Sequence, residues 1–205
     1  MVKDSIKDYI NNFVSSLKNI DEEKIMALKE EFLKRINSSH EIFIIGNGGS
    51  AANANHIAGD YLKTFSLSGL SLKISSLSEN ICYLTAAAND TDFSEVYEIL
   101  INTRVSKGDL LIFLSGSGNS INLIKPARIA KSEGITTAAI VGYSGGALKD
   151  IVEIPIHIDL KDMEIAEDAQ MFIFHYLKQI LYKKLIKADE LSSKYSKRTN
   201  EGLIA

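Results

Sequence analysis

Apolar residues near the start of the chain recur at helical spacing. Ile6, Tyr9, Ile10, Phe13, Val14 and Leu17 form one set, and Ile25, Leu28, Phe32 and Ile36 form another after Asp21. Such stripes predict two amphipathic helices within residues 1–37, the second opened by Asp21. The pattern then shortens to compact apolar runs, which predict strands at residues 42–45, 71–75, 110–114, 137–141 and 154–158. Helical patterns fall between them near residues 50–65, 94–105, 120–132 and 147–151, and a long last helix is expected from about 163 to 187.

Strands alternating with helices imply βαβ crossovers, hence an α/β fold with a doubly wound, five-stranded parallel sheet behind an N-terminal helical hairpin. The run LSLKIS alternates in polarity, as an edge strand does, whereas LLIFL and AAIVG suit strands covered on both faces. Pro126 is expected in the first turns of its helix, where a missing N–H costs least. Residues 1–187 read as one domain, and residues 188–205 as a loosely ordered polar tail.

The most telling junction is IFIIGNGGS at residues 42–50, which runs directly into AANANHIAGDYL. A buried strand ends in a Gly-rich turn, and a helix is expected to start near Ser50. Free backbone N–H groups and the positive end of a helix dipole meet there, which suits a phosphate. His56 and Asp60, four residues apart, fall on one face of that helix.

Residues 110–120, LLIFLSGSGNS, repeat the device. Ser115, Ser117 and Ser120 offer hydroxyl donors, and Gly116 and Gly118 permit close backbone approach. A capped turn with Asn119 or Ser120 as N-cap would serve helix stability alone. Two such loops at the carboxyl ends of parallel strands favour ligand binding. Neither loop has the GxGxxG spacing or the phosphate-binding lysine of nucleotide sites, which points to a small sugar phosphate. Asn89 and Asp90 form a third polar spot, readable as a turn and helix cap.

Four histidines occur. His40 and His157 read as structural or solvated. His56 sits on the helix leaving the first loop. His175 lies on the last helix, eight residues after Glu167 and seven after Asp168, so either carboxylate shares its face. His56 with Asp60, and His175 with an upstream carboxylate, would make four ligands of the kind zinc takes if the two helices met.

Composition narrows the class of partner. The 205 residues are 45% hydrophobic and 24% charged, as in an ordinary soluble domain. A net charge of −3 argues against a nucleic-acid partner. No apolar stretch reaches membrane-spanning length, and the polar start lacks a signal-peptide core, which leads us to expect a cytoplasmic protein. The single cysteine, Cys82, excludes an intrachain disulfide and is expected to be a buried structural thiol within ICYLTAAA.

GNGGSA, a histidine four residues before a carboxylate, AxND, SGSGNS and E-x7-H on the last helix together resemble the sugar isomerase (SIS) domain. Within that family the chain looks most like the phosphoheptose isomerases, over roughly residues 3–185. The resemblance implies a flavodoxin-like SIS sheet. It also implies a homotetramer with sites at subunit interfaces, and a phosphorylated sugar as substrate. The family's phosphate-binding serines match Ser115, Ser117 and Ser120, with Gly116 between them. Asn47, Gly48, Gly49 and Ser50 line the first turn, and Asn89 and Asp90 contribute nearby. The family's zinc ligands match His56, Asp60, Glu167 and His175, and its acid/base groups match Asp60 and His175; Glu167 also borders the substrate.

The chain departs from the family at two of these positions, with Asp60 where a glutamate is usual and Glu167 where a glutamine is usual. A shift of register would move the role of Glu167 to Asp168 or Gln170. An arginine common just past the first-helix carboxylate is replaced here by the Lys63–Thr64 region. The expected function is aldose–ketose isomerisation of D-sedoheptulose 7-phosphate to a heptose 7-phosphate for cell-surface polysaccharide. The alternatives are another sugar phosphate, or a non-catalytic SIS module that senses a sugar phosphate or binds a protein.

Overall fold

The computed structural model describes residues 5–185; the predicted tail and the last two positions expected for the final helix lie outside the described residues. The chain runs α1 (Ile6–Lys18), α2 (Glu22–Arg35), β1 (Glu41–Gly46), α3 (Gly48–Leu67), β2 (Lys73–Ser76), α4 (Ile81–Asp90) and α5 (Val96–Arg104). It continues through β3 (Leu110–Ser115), α6 (Ile121–Ser132), β4 (Thr136–Val141), α7 (Gly146–Ile151), β5 (Ile154–His157) and α8 (Met163–Leu185). The five strands form one parallel sheet in the order β2-β1-β3-β4-β5, the flavodoxin-like winding. The alternating run is indeed an edge, β2. The other edge, β5, carries Pro155, where its missing N–H leaves no ladder bond broken in the sheet interior.

Alternation along β1 builds the two halves of the core. Ile42 and Ile44 face α2, α3 and α8, meeting Leu28, Phe32, Ile57, Tyr61 and Phe174. Phe43 and Ile45 face α5, α6 and α7, meeting Tyr97, Ile101, Leu123, Ala127 and Leu148. Central strands β3 and β4 are buried on both faces, as their unbroken apolar runs require.

Local chemistry sets the hairpin. Ser5 accepts from the Asp8 N–H at the start of α1, and Asp21 accepts from the Glu23 N–H at the start of α2. The buried Arg35 ends α2 by donating to the carbonyls of Gly108 and Asp109, each at 3.1 Å, and pairs with Glu31. One guanidinium thus anchors the hairpin to the loop that feeds β3. Helix α1 buries only Ser16 and leaves Ile6, Ile10 and Val14 exposed, a stripe at i, i+4 and i+8.

Three local expectations need correction. Helix α3 begins at Gly48, two residues before the expected start, because the glycines themselves enter the helix. The run ICYLTAAAND is the surface helix α4, capped by Asn80, and none of its residues is fully buried. Cys82 is therefore exposed rather than a core thiol. Its apolar neighbours Leu84, Ala87 and Ala88 pack only partly against the core. Pro126 lies at the sixth position of α6, beyond the first turn, so the Asn122 carbonyl loses its usual helical donor.

Candidate active site

The carboxyl ends of β1 and β3 lie side by side, so their two Gly/Ser loops share one mouth. Asn47, Ser50, Ser115, Gly116, Ser117, Ser120 and Glu167 line a cleft of about 100 Å³ there. Ser115 Oγ accepts from the Gly118 N–H at 3.0 Å, and Ser117 Oγ accepts from the Asn119 N–H at 3.2 Å. With those bonds made, each hydroxyl hydrogen is left to donate to an oxygen-rich ligand. Ser120 is the N-cap of α6 but makes no capping bond of its own.

The loops are locked together from behind. Asn47, N-cap of α3, also makes no capping bond; its amide instead exchanges two hydrogen bonds with Asn122, each 2.9 Å. Gly118 has a φ of +66°, and a Cβ there would stand 1.9 Å from the Gly145 carbonyl oxygen, so only glycine fits.

The first turns of α8 close the cleft. A Cβ on Gly116 would meet Met163 Sδ at 2.1 Å, and one on Gly49 would meet Glu167 Oε2 at 2.2 Å. Met163 and Glu167, one helical turn apart, thus occupy the space that each loop's glycine leaves open. Gly48 is exposed at the rim. Asn89 and Asp90 are not at this cleft: they end α4 as exposed residues, with Asn89 donating to Asp90 at 3.0 Å.

Helices α3 and α8 meet along a polar seam. Gln170 donates to Ser50 Oγ at 3.1 Å, and Asn53 donates to Gln170 Oε1 and the Glu167 carbonyl, each at 3.0 Å. Further along, the buried Tyr61 hydroxyl donates to the Phe174 carbonyl at 2.7 Å. This seam brings His56 and Asp60 of α3 to His175 of α8, with one ligand atom from each lying within 4.8 Å of the others. The two imidazole rings stand edge to face with centroids 5.9 Å apart.

Two imidazoles and a carboxylate suit zinc in chemistry and number, with room for a further ligand. The fourth expected ligand does not join them. Glu167 faces Gly49, Asp168 accepts from the Tyr9 hydroxyl of α1, and Gln170 is buried in the seam. Two helical turns along α8 separate Glu167 from His175, and that rise carries it to the serine-lined cleft.

Lysines surround Asp60. Lys178 of α8 donates to Oδ2, and Lys63 donates to Oδ1 at 3.1 Å. Partial burial alone would push the Asp60 carboxyl up. The two ammonium groups outweigh it and hold the carboxyl below its ordinary value. Of the remaining histidines, His157 Nε2 lies 2.8 Å from the Tyr143 carbonyl, and the exposed His40 sits over Gly108. Sequence reasoning passed over Asn53, Asn122 and Lys178. Lys178 had a readable signal, since it stands three residues after His175 on the same helix face; the amide contacts had none.

Residues 7–142 match the SIS domain family. The chain is 32% identical over 170 residues to the phosphoheptose isomerase of Clostridium acetobutylicum, covering 82% of this chain and 87% of that protein. A phosphoheptose isomerase structure from Francisella tularensis superposes with a TM-score of 0.79 at 20% identity, over 89% of this chain and 99% of that one. One from Neisseria gonorrhoeae superposes with a TM-score of 0.77 at 23% identity, over 86% and 94%. Both structures speak for the fold. No described helix is long and apolar enough to cross a membrane. With motif, sheet order and sequence agreeing, the chain belongs to the SIS domain family and, within it, to the phosphoheptose isomerase group.

Proposed function

We propose that the protein interconverts D-sedoheptulose 7-phosphate and D-glycero-D-manno-heptose 7-phosphate through an enediol. The observation that carries this reading is the double use of α8. Its first turns wall the serine-lined cleft, and its middle presents His175 to His56 and Asp60. A sugar phosphate held by its phosphate at one end would extend its reacting carbons toward the other.

In this reading Ser115, Ser117 and Ser120 donate to phosphate oxygens, helped by the α6 N-terminus. Asp60, as the ionised carboxylate, takes a proton from C1 of the ketose. The released electron pair forms the C1–C2 double bond as the C2 oxygen takes up a proton with His175 as donor. Return of a proton to C2 and loss of the C1 hydroxyl proton give the aldose, so no atom is gained or lost. Zinc held by His56, Asp60 and His175 would supply Lewis-acid polarisation of the substrate carbonyl. Glu167, at the cleft, acts on substrate rather than as a metal ligand.

The reading includes a homotetramer with its sites at subunit interfaces. The exposed apolar stripe of α1 supports such burial. It also includes a cytoplasmic location, supported by the single cysteine.

The test is solvent exchange. Sedoheptulose 7-phosphate incubated in heavy water with the enzyme should gain deuterium at C1 of the ketose and C2 of the aldose. Folded Asp60→Ala and His175→Ala proteins should each lose about a hundredfold or more in rate. Wild-type rates in either variant would overturn the assignment, and binding of the sugar without exchange would favour a sensor module.

A further inference from the structure

Asp60 is asked to do two things that conflict. It is the carboxylate of the His56–Asp60–His175 group, and it is already paired on both oxygens with lysine ammonium groups. The two lysines are not equivalent. Lys63 is half-exposed and comes from the same helix as Asp60, so water screens it and its stem can swing away at little cost. Lys178 is only 21% exposed and comes from α8, next to His175. Its ammonium therefore reaches across the α3–α8 seam to the same carboxylate that the two histidines approach.

We infer that Lys178 is a built-in competitor for the metal: its ammonium occupies the Asp60 carboxylate, and a divalent cation binds only by displacing it. This rests on the metal site proposed above. The physical reason is charge in a confined space. A divalent ion and an ammonium drawn to one carboxylate repel each other strongly, and partial burial weakens the screening that would relieve it. Two consequences follow for this chain. Metal affinity is set below what its two histidines and carboxylate would otherwise give. The metal-free site is also a satisfied ion pair rather than an orphaned carboxylate, so the α3–α8 seam holds together without metal.

The experiment measures metal binding, not turnover. Zinc affinity is read by competition with a chromophoric chelator, and coordination is read from the visible absorption of the cobalt(II) form. Lys178→Met keeps the aliphatic stem and removes the charge, and it is expected to bind zinc at least about tenfold more tightly than wild type. Lys178→Arg keeps the charge and should stay within about threefold of wild type, as should Lys63→Met. Circular dichroism of each variant establishes that it is folded, and Lys178→Gln serves in place of Lys178→Met if the latter is not. Equal or weaker zinc binding on removal of the Lys178 charge would overturn the competition while leaving the metal site standing. No zinc binding and no cobalt spectrum in any of the proteins would overturn the metal site and the competition with it.

Discussion

Asn47 and Asn122 exchange two side-chain hydrogen bonds, each 2.9 Å, and so tie the turn after β1 to the first turn of α6. Neither amide spends itself on a helix cap, and Asn122 belongs to none of the motifs that mark the loops. Together they fix the spacing between the two loops that would share a phosphate. Asn122→Ala should therefore cost about 1–2 kcal/mol of stability, since it leaves the partly buried Asn47 amide unmatched. It should also raise KM for the sugar phosphate more than it lowers kcat. Urea denaturation and steady-state kinetics check both halves.

Two glycines with the same backbone angle offer a controlled comparison. Gly118 and Gly134 both have a φ of +66°, but a Cβ on Gly134 meets nothing within 4 Å, whereas one on Gly118 meets backbone at 1.9 Å. Gly134→Ala should cost about 1–2 kcal/mol, the strain of left-handed backbone alone. Gly118→Ala should cost about 1–3 kcal/mol more, because a neighbouring loop must move. Thermal unfolding of the two variants measures the difference, and only Gly118→Ala is expected to weaken phosphate binding.

Glu167 places a carboxylate in a cleft read as a phosphate site, with no lysine or arginine among the residues lining it. Glu167→Gln removes that charge and keeps the shape. It should tighten inhibition by inorganic phosphate several-fold, as expected for one unit charge at close range in a partly screened site. Inhibition constants for phosphate and sulfate, measured for both proteins, check this. Unchanged constants would mean that the anion does not bind beside Glu167.

Acid should loosen the hairpin through Glu31. Partial burial pushes its carboxyl up, but the Lys34 and Arg35 cations outweigh that and hold it below its ordinary value of 4.5. A carboxyl lowered in the folded state adds stability that is fully present above its unfolded pKa and drains away as pH falls through the folded one. Glu31→Gln should accordingly be less stable than wild type at neutral pH, and the two should converge as pH falls through the lowered folded pKa. Unfolding free energies measured across that range give the difference curve.

Apart from α4, the order of elements, the all-parallel sheet and the edge position of β2 follow from hydrophobic period and run length, which are local properties of the chain. The strand ends at Gly46 and Ser115 follow equally from glycine and serine placement after apolar runs. His56 and Asp60 share a face because four residues make about one helical turn. Composition misled at ICYLTAAAND, where an apolar run belongs to a surface helix. What covers a helix is not written in the helix.

Everything that depends on α8 lying against α3 was decided by tertiary structure. His175 joins His56 and Asp60, and Glu167 is carried to the cleft instead, because packing along the Ser50–Gln170 and Tyr61–Phe174 seam sets which turn of one helix faces which turn of the other. Lys178 meets Asp60 for the same reason. GNGGS was readable as a strand–turn–helix junction from sequence alone, since a strand, a glycine turn and a helix N-terminus are local. Which charge would stand beside Asp60 depended on two helices more than a hundred residues apart in the chain, and only their packing could say.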